Sequence, residues 1–389
     1  LRTCNGDTLP RPLLHGLKGN NSTAGPLRKQ GAIFFARCNC RAQLFKIAAM
    51  SPESSDSRII DSEFVPARWL QNAHAQTVYP TLPWAWRSRP RLRRQPLDLP
   101  DGDTTAVDWL IAADDLPVNA PLLIILHGLE GSADSAYARM LMEAALGNGW
   151  RSCVLHFRDC GDYRNRLPRR YHAGETNDLR YFLNMLRESP EAASGPLLAA
   201  GYSLGGNVLL KYLGESGADS PLRAATAVCV PLDLHECAEA LNNGFSKVYQ
   251  RYLLKRMKQS VARKFDPHTA AFDWDEAMRA RTFAEFDNLV TAPLHGFAGK
   301  QDYYDRCSSV RFLRTIDTPT LIINSLDDPF MTPDVIPGPD ALSPQVTLEI
   351  AAHGGHVGFI DGGTPWQPTF YLPRRITGFL EQFAAIPGM

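Results

Sequence analysis

The segment Gly201-Tyr202-Ser203-Leu204-Gly205 is a GxSxG pattern with Gly206 after it, set where a short apolar run gives way to a helical period. The chemistry this suggests is covalent attack by Ser203 on a carbonyl carbon. A serine hydroxyl is a weak nucleophile near neutral pH, so it needs a base, and the base needs an orienting partner. In a strand–turn–helix setting the serine is forced into a strained turn. Glycines two before and two after it let the strand and helix backbones pass closely. The helix N-terminus then offers N–H groups to developing negative charge.

The expected chain order is Ser, Asp, His. Downstream of Ser203 an apolar run ends in Leu326-Asp327-Asp328-Pro329, which delivers two carboxylates at a strand's C-terminal edge, where open α/β sheets place ligands. After one further apolar run comes His353-Gly354-Gly355-His356-Val357-Gly358-Phe359, a glycine-rich loop able to hold an imidazole over the serine. His353 and His356 each qualify as the base, and Asp327 and Asp328 each qualify as the orienting group. An aspartate before proline also initiates turns, which gives Asp328 a structural explanation of its own. For the oxyanion hole, the N–H of Leu204 is expected to act with one from the loop His127-Gly128-Leu129-Glu130-Gly131, assigned to Leu129 with Gly128 as the alternate.

Other candidates are weaker. His127 reads as a structural histidine, since no ligand set of metal spacing accompanies it. Arg158, Asp159, Gly161 and Asp162 suit either the pocket edge or a solvated turn. His172 and Asp178 miss the HxxxxD spacing of acyltransferases, with Asn177 where the aspartate would stand. Trp69, Trp84 and Trp86 read as packing residues. Neither a cofactor nor a metal is called for.

The elements that must position these groups follow a βαβ rhythm from about residue 121. Strands are expected at 121–126, 152–157, 197–201, 225–230, 319–325 and 345–350. Helices are expected at 133–148, 175–188, 204–215 and 374–383. Leu179, Phe182, Leu183 and Leu186 mark one apolar helix face. Near-continuous apolar strands joined by helical crossovers predict an α/β fold, a mostly parallel sheet covered on both faces. Between about 233 and 293 the rhythm breaks into helix-like sequence without a strand, read as an inserted lid. Lys247, Arg251, Lys255, Arg256, Lys258, Arg263 and Lys264 make it locally basic beside Phe245, Tyr249, Tyr252, Leu253 and Leu254. It reads either as a solvated face or as a surface for lipid headgroups or anionic substrates.

At 389 residues, 44% hydrophobic and 21% charged, the chain has the composition of a soluble globular protein. Its zero net charge hides an asymmetry. Residues 1–49 carry eight Lys/Arg against Asp7, which makes the tail +7 and the rest −7, so nucleic acid is not an expected partner of the body. Cys4, Cys38, Cys40, Cys153, Cys160, Cys229, Cys237 and Cys307 form no CxxC or zinc-like spacing, and reduced thiols in the cytoplasm are the expectation. No apolar stretch approaches the roughly 18 residues of a membrane span. Residues 1–60 are expected to form an upstream segment without chemistry, with the native start at Met50; a transit peptide is the other reading of its basic, acid-poor character.

As an ensemble the sequence resembles the YheT-like α/β-hydrolases, a family related to membrane-anchored animal acylglycerol and phospholipid lipases. The likeness spans roughly residues 64–383. It rests on FVPARWLQNAHAQTVYPTL (64–82), HGLEGS (127–132), RDCGD (158–162), GYSLGGN (201–207), FDNLVTAPLHGF (286–297), LDDPF (326–330) and GGHVGF (354–359). The resemblance implies an α/β-hydrolase fold and a serine carboxylester hydrolase with Ser203 as nucleophile, His356 as base and Asp327 as acid. It also implies an N-terminal extension over the core formed by FVPARWLQNAHAQT. The animal relatives carry an N-terminal membrane anchor and this sequence shows none, so short- to medium-chain esters are the expected substrates. A lipase on lipid esters, or an acyltransferase with the same triad, is the alternative. A binding protein on an inactive scaffold conflicts with retention of all three triad members, and an aspartate-nucleophile hydrolase conflicts with serine at 203.

Overall fold

Five consecutive apolar residues, Leu122–Leu126, are each no more than 1% exposed. Such a run, apolar on both sides of the pleat, must lie at the centre of a sheet covered on both faces. The structure, a computed structural model describing residues 58–82, 85, 89–189 and 195–385, places it there. The expected upstream segment up to residue 57, with Met50, lies outside the described residues, as do Trp84, Trp86, Cys4, Cys38 and Cys40.

In chain order the strands are β1 Ile59–Asp61, β2 Leu92–Asp98, β3 Thr104–Leu110, β4 Leu122–Leu126, β5 Arg151–Leu155, β6 Leu197–Tyr202, β7 Leu222–Val228, β8 Thr320–Ser325 and β9 Val346–Ala351. Among the described residues they form one sheet of order β1-β9-β8-β7-β6-β4-β5-β3-β2. All neighbours run parallel except the pairs of β3 with β2 and with β5. A hairpin, β10 Ile360–Thr364 with β11 Gln367–Phe370, stands apart. The sequence pattern had not shown β1, β2, β3 or the hairpin. Ile59 and Ile60, assigned by that pattern to the upstream segment, pair in parallel with Leu348 and Glu349 instead.

The helices are α1 Ala73–Val78, α2 Ala136–Gly147, α3 Asn177–Glu188, α4 Leu204–Ser216, α5 Leu234–Ala240, α6 Ser246–Lys264, α7 Trp274–Arg279, α8 Phe283–Phe286, α9 Ala292–His295, α10 Lys300–Cys307 and α11 Tyr371–Leu380. On one face of the sheet, Phe182, Leu183 and Leu186 of α3 and Val208 and Leu209 of α4 pack with Ile124 and Leu126. On the other, Leu141 and Met142 of α2 and Ile376 and Leu380 of α11 pack with Leu123 and Ile125. The alternation of Leu122 to Leu126 between the faces is the period of two expected of a strand.

From α5 to α10 no strand intervenes. This helical insertion has a small core of its own, formed by Leu254, Met257 and Val261 with Phe286 and Val290. Asp273 caps α7, and Thr282 with Glu285 forms a capping box on α8. Between α8 and α9 the backbone widens into a π turn, Asp287–Thr291. Pro293, with no N–H to donate, already interrupts the ordinary ladder there.

Helix α4 approaches the end of β4 so closely that a Cβ on Gly205 would stand 2.4 Å from the His127 carbonyl oxygen and 2.5 Å from that of Leu126. Those are backbone atoms and cannot swing aside. Gly205→Ala should therefore lower the unfolding free energy by about 1–3 kcal/mol or more in chemical denaturation. Gly147→Ala, in α2 with nothing within 4 Å of the added carbon, should instead raise it by up to about 1 kcal/mol.

Candidate functional site

β6 ends at Tyr202 and α4 begins at Leu204, so Ser203 alone makes the turn, with φ 52° and ψ −120°. A non-glycine residue in that region costs about 1–3 kcal/mol and persists only where the surroundings impose it. They do so here. The Ser203 N–H donates to Val228 O at 2.8 Å, and a Cβ at Gly201 would stand 2.5 Å from Gly205 O. Among the described residues, the other strained non-glycine positions include Glu130, Cys229, Val357 and Phe359, all in loops around the same sheet edge.

His356 Nε2 lies 3.0 Å from Ser203 Oγ. Its ring stacks on Phe330, with centroids 4.0 Å apart and planes at 18°. The loop that carries it is pinned from several sides. His356 N–H donates to Thr77 Oγ1 at 2.9 Å, and Ser325 Oγ donates to Gly355 O at 2.8 Å. Fully buried Gln76 donates to Leu70 O and Ile360 O and accepts from the Ile360 N–H. Gly355 (φ 59°) passes so near α1 that a Cβ would lie 2.4 Å from Ala73 O. The segment 64–77 thus serves as a clamp on the histidine loop.

The expectation that Asp327 orients His356 is not met by the geometry. Adjacent residues project to different sides of the chain, and the side chain that turns inward is Asp328, 1% exposed, with Oδ2 2.8 Å from His356 Nδ1. Its Oδ1 accepts from the Phe330 N–H at 2.8 Å, so the turn-forming role of an Asp-Pro pair and the contact to the imidazole are held by one carboxylate. Asp327 instead accepts from Gly355 N–H at 2.9 Å and meets Nδ1 of the exposed His353 at 3.2 Å, bracing the loop from outside.

The Gly128 N–H donates to the Tyr137 hydroxyl at 2.8 Å and is therefore engaged within the protein. Leu129 and Leu204 line one cavity together with Ser203 and His356. The turn after Leu129 is tied down through Glu130, whose carboxylate receives Arg170, Ser260 of α6 and the Tyr171 hydroxyl at 2.5, 2.6 and 3.0 Å. Arg256 of α6 donates to its carbonyl at 2.7 Å. Burial alone would raise the Glu130 pKa. The Arg170 charge and these hydrogen bonds outweigh it and hold the group below its ordinary value.

His127 accepts from Phe157 N–H on Nε2 and faces Gly128 O with Nδ1. Burial and the neighbouring His156 lower its pKa to about 3, which suits a neutral framework residue. Arg158 is buried too, bonded to Asp178, Asp101 and Asp103 at 2.6–2.8 Å, which removes it from the pocket. Trp69 packs edge-on against Tyr79 at 5.2 Å. Among the described residues, Cys229, Asp328 and His356 place metal-ligand atoms within 4.8 Å of one another. Yet His356 Nδ1 is on Asp328, and burial keeps the Cys229 pKa well above its usual value. No thiolate is on offer there.

The cavity beside Ser203, of about 130 Å³, is walled by Leu241, Leu253, Met257, Phe286 and Val290, with Asp287 and Tyr304 among its polar residues. Thr77, Gln76, Glu130 and Asp287 were not singled out by the sequence. Their contacts span up to 284 positions, and only the motifs that contain them hinted at a role.

Residues 121–363 match the family model described as alpha/beta hydrolase fold. The chain is 44% identical to "Putative esterase YheT" of Escherichia coli over 329 residues, covering 83% of this chain and 94% of that one. It is 30% identical to "Phospholipase ABHD3" of Mus musculus over 338 residues, covering 81% of each. Among solved structures, the Pyrococcus furiosus esterase Pf2001 aligns with TM-score 0.50 at 14% identity, over 76% of this chain and 92% of that one, a likeness of fold alone.

The two aspartates separate under a probe that needs no substrate. Labelling of Ser203 by a fluorophosphonate should slow by about 10³-fold or more in Asp328→Asn, because the imidazole loses its orienting acceptor. In Asp327→Asn it should slow by less than about tenfold. The reverse ranking would return the role to Asp327.

Proposed function

We propose, from the premise that the chain belongs to the α/β-hydrolase family and to its YheT-like branch, that it is a serine hydrolase that cleaves carboxylic esters through an acyl-enzyme. The observation that carries this reading is the hydrogen-bonded line Ser203 Oγ, His356 Nε2, His356 Nδ1, Asp328 Oδ2, with links of 3.0 and 2.8 Å. Ser203 Oγ attacks the ester carbonyl as His356 Nε2 takes its proton. Asp328 holds the Nδ1–H tautomer and stabilises the imidazolium. The N–H groups of Leu204 and Leu129 receive the oxyanion. His356 then protonates the leaving alcohol, activates water against the acyl-enzyme, and returns the proton to Ser203 as the acid departs. In this reading Asp328 replaces Asp327 as the acid, and no step calls for a metal or cofactor.

Short- to medium-chain acyl esters fit best. A cavity of about 130 Å³ is small beside the pockets that take drug-sized ligands. Five described cysteines are free and buried, which favours a reducing compartment and a cytoplasmic setting. The full chain should cleave p-nitrophenyl esters from two to sixteen acyl carbons with a preference for the short end, and Ser203→Ala should lower turnover by about 10⁶-fold. A long-chain preference would revive the lipase reading. Transfer of the acyl group to an added alcohol in preference to water would mark an acyltransferase.

One observation favours a lipid-facing role for the insertion. Phe245, Val248 and Tyr252 are 55%, 47% and 59% exposed, at helical spacing on and just before α6, beside Lys247, Arg251 and Lys255. No helix among the described residues is long and apolar enough to cross a membrane. Vesicles with 30% phosphatidylglycerol should sediment the protein, and Lys247→Glu with Arg251→Glu should abolish this. Equal sedimentation with neutral phosphatidylcholine would count against the basic face.

A further inference from the structure

The wall of the catalytic pocket contains a carboxylate that the proposed hydrolysis does not use. Asp287 opens the π turn of the insertion and lines the same cavity as Ser203 and His356, the one carboxylate among its described lining residues. It is aimed and held. Thr291, one π turn on, donates to Oδ1, and Tyr304 of α10 donates to Oδ2, both at 2.7 Å. Both partners are neutral hydroxyls. A carboxylate has about four acceptor sites, so two donors leave it unsaturated.

The charges nearby do not compensate it. Arg170, the cation of the pocket wall, is committed to Glu130 and Asp159. His172 and His295 also line the pocket, but burial holds both below their ordinary pKa, His295 at about 4, so they are neutral near pH 7. Burial pushes the Asp287 pKa up to about 6, against the two hydroxyl donors. A carboxyl whose folded-state pKa is raised favours the fold at low pH and loses that contribution as pH rises through about 6. The pocket therefore keeps a carboxyl whose charged form burial disfavours, beside the apolar side chains of Leu241, Leu253, Met257, Phe286 and Val290. Polar groups placed this way in an apolar pocket fix the orientation of a ligand.

We propose that Asp287, braced by Thr291 and Tyr304 on the wall of the catalytic pocket, is a specificity-determining residue that accepts a hydrogen bond from a donor on the substrate, a hydroxyl or a protonated amine set apart from the scissile ester. The proposal rests on the reading of Ser203 as an esterase nucleophile and adds the substrate class to it. A site built to bond such a donor disfavours the matched ester that lacks it, because the buried acceptor is then desolvated without a partner.

The test uses the full chain and matched esters: hexanoate, 6-hydroxyhexanoate and 6-aminohexanoate with a common alcohol, and butyl, 4-hydroxybutyl and 4-aminobutyl alcohols with a common acid. At least one donor-bearing ester should exceed its parent by about tenfold or more in kcat/KM, chiefly through KM. Asp287→Asn should reduce that ratio to within about twofold of unity. Whether the hydroxyl or the amine arm responds identifies the donor. Absence of preference in the unaltered protein, or its survival in Asp287→Asn, would overturn the proposal. Binding is read separately from turnover by thermal shift with hexyl methyl ether, which has no donor, and with hexanol and hexylammonium. One of the two donor-bearing compounds should raise the melting temperature more than the ether does, and only when Asp287 is present. Equal shifts for all three would overturn the proposal even if esters are cleaved. An Asp287-dependent shift without Ser203-dependent cleavage would remove the esterase reading and leave the donor site standing.

Discussion

Everything at the site depends on how near the start of α4 comes to the end of β4. The backbone of Gly205 lies where a side chain would strike the carbonyls of Leu126 and His127. That approach fixes the angle at which the chain turns through Ser203. It sets the hydroxyl at the sheet edge and lays Leu129, just beyond β4, beside the same cavity as Leu204. Loosening it by even one carbon would displace Ser203, Leu204 and Leu129 together.

The histidine side is secured by a different means. Ser203 sits on regular structure, whereas His356 sits on a loop whose glycines leave room for α1 and whose N–H groups are received by Thr77 and Asp327. The two aspartates divide the work. Asp328 is bonded to the imidazole and to its own turn, and Asp327 steadies the backbone that carries the imidazole. A chain held against both the ring and the loop leaves His356 little freedom to leave Ser203, while Phe330 covers its face. The insertion joins from the other side, since α6 reaches Glu130 through Ser260 and Arg256, so the loop after β4 is shared between sheet and insertion.

Much of this was legible in the sequence. PLLIIL, SCVLHF and the run before Ser203 are apolar on both sides of the pleat and announce central strands within one or two residues of where they lie. The GxSxG turn and the glycine-rich histidine loop could be placed because their local backbone demands are written in glycines. β2 could not, since LRRQPLD is polar, exposed and carries Pro96, features an edge strand tolerates and a central one does not. β1 has only three residues. The choice between Asp327 and Asp328 turns on which of two neighbours faces inward, and no periodicity reports that for a pair in a turn. Thr77 acts across the fold, 279 positions from His356, where a sequence window has no view.

The clamp on the histidine loop also orders events in time. Thr77 and Gln76 belong to the early part of the domain, yet they bond to His356 and Ile360, 279 and 284 positions later. β1 likewise pairs with β9, the last strand of the sheet in chain order. Contacts of such long sequence separation form late, because closing the intervening chain must precede any gain from them. Of the described elements, β1 and α1 leave the ribosome first, and they therefore wait for nearly the whole polypeptide before they find their partners. A nascent chain that already holds the Ser203 turn has no imidazole seated beside it, and the pairing of Ser203 with His356 arrives with the closure of the domain.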